Sequence, residues 1–232
     1  STCPRRTSSS TSASPSRDDG AAVRRVLLVR LSAMGDLVQS LGAVAGLARV
    51  RPELELTLVT QRQFAPLAEH VPGLARVVSF DRDGGVGALF RLASDLRSRH
   101  FDVAFDLQGN WKSALVARIA GARRCIGMAA PWRQEPRSAL LLHEVVAGSG
   151  PSHPARNAFT LAARLAPELP FELPRLFTTE EELERERGEL RTIGIDAGQR
   201  FDVLVVTDPA DPRALRPAMI TAALQRPWPV VA

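Results

Sequence analysis

Arg25-Val-Leu-Leu-Val-Arg-Leu31, followed at once by Ser32-Ala-Met-Gly-Asp36, decides the fold. Val26 to Leu31 is a short run rich in Val and Leu, the pattern of a strand buried on both faces. It breaks off in small and turn-forming residues, where Gly35 gives the backbone freedom. Leu37, Leu41, Val44 and Leu47 or Ala48 then recur at helical spacing. A strand, a tight turn and a helix at the head of an α/β domain put the turn at the carboxyl end of the first strand. Ligands of open α/β sheets bind at that edge. Asp36 stands in the turn or in the first helical turn, where a carboxylate serves either as a cap or as a catalyst.

Reading outward, the pattern repeats. Leu54–Thr60, Ala75–Phe80, Phe101–Leu107, Cys125–Met128 and a stretch within Leu140–Val146 read as further strands. Arg62–Val71, Val86–Arg99, Trp111–Ala120 and Pro154–Leu165 read as the helices between and after them. Strands alternating with helices predict a Rossmann-like parallel sheet with right-handed crossovers, spanning residues 24–168. Residues 1–23 are Ser/Thr-rich with almost no large apolar residue, and are expected to form a disordered tail. Residues 169–178 carry Pro170 and Pro174 and read as a linker. From 179 a capped, charged helix over Glu180–Thr192, closed by Gly194, leads into a strand at Phe201–Val206. Too few residues follow to complete a domain, so 179–232 is expected to be the incomplete start of a second α/β domain.

Composition narrows the function. At 45% hydrophobic the chain can build a core. The formal net charge is +5, almost all of it arginine, and Lys112 is the only lysine. The arginines are spread among acids, without the aromatic interleaving of a nucleic-acid binder, so no nucleic-acid partner is expected. Cys3 and Cys125 form no motif, which fits a reducing cytoplasm. No apolar run approaches the roughly 20 residues of a membrane span. The glycine fingerprint of dinucleotide binding, the P-loop and the nucleophile elbow are all missing, and the four histidines and two cysteines lack metal-ligand spacing.

Two polar turns remain. The second, Asp106-Leu-Gln-Gly-Asn-Trp-Lys-Ser113, follows the fourth strand and opens on the same sheet edge as the first. Ser32 reads as a cap or a ligand contact. Gly35 allows close approach of a substrate to the backbone. Asp106 braces its turn, and Gln108 and Asn110 bond a sugar or a helix end. A lone Lys112 in an arginine-rich chain suggests a place where a compact ammonium is wanted; its plain alternative is an exposed helix lysine. Arg133 and Arg137, near Trp132, suit an anionic substrate, against the alternative of a solvated face. His153 caps or packs locally.

Arg25 to Asp36, together with Asp106-Leu-Gln-Gly-Asn-Trp-Lys-Ser-Ala114, resembles the acceptor-side half of glycosyltransferase family 9, the bacterial lipopolysaccharide heptosyltransferases. Arg133-Gln-Glu-Pro136 resembles that family's segment between the fifth and sixth strands, and His153 to Asn157 faintly resembles a further motif one residue short. The resemblance covers about Arg24 to Leu165. It implies a GT-B architecture of two Rossmann-like domains, and inverting, metal-independent heptose transfer from ADP-heptose to the lipopolysaccharide inner core. Asp36 matches the family's general base. Ser32, Met34, Gly35, Gln108, Gly109, Lys112 and Arg133 are the implied acceptor contacts. No cofactor or metal is expected. The expectations extend to a cytoplasmic monomer with peripheral contact at the inner membrane, and to low activity because the donor half looks truncated. The alternatives are a non-catalytic carbohydrate-binding remnant or an acceptor-binding half that needs another chain, and a nucleotide-dependent enzyme of another Rossmann type, which the missing glycine fingerprint disfavours.

Overall fold

Val26 to Val29, each no more than 3% exposed, form the centre of a parallel sheet. In this computed structural model the described residues are 23–81, 84–173, 175–196, 198–203 and 230–231. The expected tail, Cys3 and most of the chain beyond Val203 lie outside them. Strand β1 (Arg25–Val29) pairs with β2 (Glu55–Gln61) on one side and β4 (Val103–Asp106) on the other. With β3 (Leu74–Phe80), β5 (Arg124–Met128) and β6 (Glu144–Val146) the order is β3-β2-β1-β4-β5-β6. This is the doubly wound order, whose direction reverses between β1 and β4.

Helices cover both faces, which is why β1 carries no polar alternation. Helix α1 (Met34–Val50) packs against α5 (Pro154–Ala162) on one face. Leu92 and Leu96 of α3 (Gly85–Arg97) and Val116, Ala117 and Ala120 in and after α4 (Trp111–Ile119) join Leu27 and Val29 in the core of the other. Two sequence expectations are corrected. The stretch 62–71 is a 3₁₀ turn, Arg62–Phe64, followed by the short α2, Pro66–Glu69. Leu140 belongs to a 3₁₀ segment, Pro136–Leu141, so the sixth strand shortens to three residues. Other boundaries move by one to three residues, as fraying ends do.

The first strand is fastened at its start by Asp102, whose Oδ2 accepts the amides of Arg24 and Arg25, both at 2.9 Å. Burial raises the Asp102 carboxyl, but those two amides and the charges of Arg123 and Arg25 outweigh it, so the group ionises below its ordinary value. A depressed folded value contributes stability above the unfolded carboxyl value of about 3.9, lost as pH falls through the folded value. Asp102→Asn is therefore expected to flatten the acid limb of the stability profile below about pH 4. Urea unfolding across that range checks it, and an unchanged slope would refute it.

Contacts divide the chain between Leu176 and Phe177. In the second unit, Thr179 caps α6 (Glu180–Thr192) through a capping box with Glu182. Strand β7 (Asp202–Val203) pairs in parallel with β8 (Val230–Val231).

Candidate functional site

Because the sheet order reverses between β1 and β4, the turns after these two strands flank the switch point, where a doubly wound sheet opens a crevice. The turn after β1 runs from Arg30 to Ala33, with a cis peptide bond between Ser32 and Ala33. Ala33 occupies the N-cap position of α1 and no side chain caps the helix. Neither Ser32 nor Asp36 is thus the cap that the sequence allowed. Asp36 sits in the first helical turn, 28% exposed, and its Oδ2 forms an ion pair with Nη2 of Arg30.

Arg30 is not among the candidate residues that the sequence suggests, yet its side chain is buried, at 2% exposure. Its Nη1 donates to the carbonyl of Leu107 at 2.5 Å, tying the first turn to the second. Burial lowers the Arg30 pKa from its ordinary value, opposed by the charges of Asp36 and Asp106. The available signal was a charge at the end of an apolar run buried on both faces, which demands a partner.

Gln108 links the same two turns. Its Oε1 accepts the amides of Leu31 at 2.9 Å and Ser32 at 3.2 Å, and its Nε2 donates to Ser32 Oγ at 3.0 Å. These bonds tie the amide to the first turn, Oε1 through two backbone amides and Nε2 through the Ser32 hydroxyl. Asp106 Oδ1 accepts the amides of Gln108 and Gly109, at 3.1 and 2.9 Å, the brace expected of it. Asn110 caps α4 in a reciprocal box with Ser113. Gly109 has φ +83°, and a Cβ there would stand 3.2 Å from the Arg133 backbone, so glycine is required on two counts.

Arg133 departs most from the sequence reading. Its side chain is fully buried, 2.6 Å from Asp106 Oδ2. It also donates to Ser138 Oγ, at 2.7 Å through Nη2 and 3.1 Å through Nε, and to the Met128 carbonyl at 3.3 Å. A guanidinium so enclosed braces the core of the site and has no face for an acceptor. Arg137 is exposed, and His153 stands at the N-cap of α5 without a capping bond.

What remains open to a ligand is smaller than the expected set. Met34 is 56% exposed, and a Cβ built on Gly35 meets nothing within 4 Å. Trp111 is 44% exposed and Lys112 is exposed, without an ion-pair partner among the described residues. The arrangement sets a partly exposed carboxylate in the first turn of the helix after β1, and an exposed ammonium and indole in the first turn of the helix after β4. It suits proton transfer from a hydroxyl beside an anionic group. Among the described residues no group of three or more His, Cys, Asp or Glu gathers as a metal centre, and no helix is long and apolar enough to cross a membrane.

Comparison with known proteins places the chain in context. Residues 89–196 match the model of glycosyltransferase family 9 (heptosyltransferase). The lipopolysaccharide heptosyltransferase 1 of Pseudomonas aeruginosa is 29% identical over 121 residues, covering 48% of this chain and 34% of the relative. That of Campylobacter coli is 25% identical over 96 residues, covering 41% and 28%. Among solved structures, the family 9 glycosyltransferase of Veillonella parvula superposes with TM-score 0.72 at 16% identity, covering 86% of this chain and 58% of that one. The E. coli heptosyltransferase WaaC with ADP-2-deoxy-2-fluoro heptose gives 0.60 at 21%, covering 81% and 60%. At these identities the structures bear on the fold alone, a parallel α/β sheet flanked by helices. The chain spans about a third of the length of the curated relatives it matches.

Proposed function

We propose that this glycosyltransferase family 9-like chain forms the acceptor side of an inverting heptosyl transfer, with Asp36 as general base. The observation that carries the reading is the partly exposed Asp36 carboxylate at the switch point, one oxygen held by Arg30 and the other unpartnered among the described residues. In the proposed reaction an acceptor hydroxyl oxygen attacks the anomeric carbon of the heptose from the face opposite ADP. The new C–O bond forms as the bond to the diphosphate breaks, and the leaving electron pair goes to ADP. The hydroxyl proton passes to Asp36. Transfer without a metal ion, ADP-heptose as donor and the lipopolysaccharide inner core as acceptor belong to the proposal. A cytoplasmic monomer in peripheral contact with the inner membrane belongs to it too.

Lys112 would meet an acidic group of the acceptor. Its replacement by Met is expected to weaken binding of an inner-core fragment by up to about tenfold, and Lys112→Arg to keep part of it. Calorimetric titration of such a fragment into the chain reads this. The transfer itself is tested by following labelled heptose from ADP-heptose to the fragment. Product with an inverted anomeric centre supports the assignment. Binding without transfer, even in a form extended to the relatives' length, would favour the carbohydrate-binding alternative. Absence of both would sink the proposal.

A further inference from the structure

Four charges of alternating sign connect the core of the sheet to the crevice. Arg133 and Asp106 are both fully buried, 2.6 Å apart. Asp106 also acts through its charge on Arg30, and Arg30 is ion-paired to Asp36, the one member with appreciable exposure. Within this set Arg30 is poorly satisfied for a buried guanidinium. Nη1 has its carbonyl and Nη2 its ion pair with Asp36, but Nε is buried without an acceptor among the described residues. A buried arginine in that condition is costly, and an apolar residue of similar volume would be easier to accommodate. Its position has a consequence beyond stability. The first-turn amides of α1 are unpaired donors that attract a carboxylate back onto the helix end. Asp36 makes no such cap.

We infer that Arg30 is the positioning residue of this site, withholding Asp36 from its own helix by anchoring Oδ2 and leaving Oδ1 to face the acceptor hydroxyl. The inference rests on the reading of Asp36 as the base, and it assigns Arg133 and Asp106 to the support of Arg30. A base held in one orientation removes a rotational search from the transfer step. Leu107, through its carbonyl, makes the anchor depend on the second turn as well as the first.

The test reads the side chains directly in the full chain, with aspartate and arginine selectively labelled for NMR. Asp36 is expected to hold a single χ1 rotamer, by its side-chain couplings, in the wild type and largely in Arg30→Lys. In Arg30→Gln it is expected to average over at least two, while backbone amides away from the turn keep their shifts. Asp36→Asn supplies a second view, which serves also if Arg30→Gln does not fold. Loss of the carboxylate is expected to shift the Arg30 guanidinium resonances and release its slow rotation. An unchanged single rotamer in folded Arg30→Gln, or unchanged Arg30 resonances in Asp36→Asn, would overturn the inference. Neither readout needs donor, acceptor or turnover. Normal turnover in Asp36→Asn would instead remove the base assignment and leave the ion pair standing, so the two failures are distinct.

Discussion

Arg133→Met is expected to destabilise the first unit by about 3–5 kcal/mol, the cost of leaving one member of a buried ion pair without its partner. The mechanism is specific. Met fills most of the volume, so the loss is electrostatic rather than a cavity. Asp106 would keep the two amides that it accepts through Oδ1 but lose the guanidinium paired with Oδ2, at a position without exposed surface. The Ser138 hydroxyl and the Met128 carbonyl would lose their donor together with it. Adding Asp106→Asn should recover a good part of the loss, because the neutral amide oxygen still accepts from Gln108 and Gly109 without a stranded charge. Urea unfolding of the two single variants and the double variant measures the coupling directly. A loss below about 1 kcal/mol for Arg133→Met would mean that the pair is no better than a surface ion pair.

The same residue marks where sequence reading stops. The alternation of strands and helices is written in local periodicity, and the two polar turns follow from where apolar runs break, so the sheet edge carrying them was legible. Pairing order was not, since nothing local states that β1 lies between β2 and β4. Burial of polar groups was equally hidden. Arg133 reads as an exposed arginine near a tryptophan, and only the fold brings Asp106, 27 residues earlier, within 2.6 Å. Gln108 reads as a contact to a sugar or a helix end because a side-chain amide can bond either, and the fold brings it to a turn 76 residues away, where it bonds the Ser32 amide and hydroxyl. Arg30 was the inverse case. Its sequence position inside an apolar run already implied a buried charge, and the partner was six residues on, in the same quoted stretch. Asn110 was legible in kind, because an Asx residue before a helix has two outcomes and the capping box selects one.

Asp36→Asn is expected to lower heptosyl transfer by roughly 10²–10⁴-fold, the ordinary contribution of a positioned general base. The variant is measured in the chain or in a form extended to the relatives' length. The amide is nearly isosteric and bonds through its oxygen, so the acceptor should bind with little change and the loss should fall on kcat. One side effect needs separating. Arg30 would lose its counter-charge while buried, and the first turn would be strained on that account. Asp36→Glu distinguishes the two contributions. It restores the negative charge beside Arg30 but moves the carboxylate by one methylene, and a displacement of that order at a reacting centre is costly in rate. If catalysis depends on Asp36 as base, Asn and Glu should both be slow, while Glu unfolds closer to wild type than Asn does. If Asp36 serves only to neutralise Arg30, Glu should recover turnover and stability together. Transfer within a few-fold of wild type in a folded Asp36→Asn would remove the residue from the chemistry.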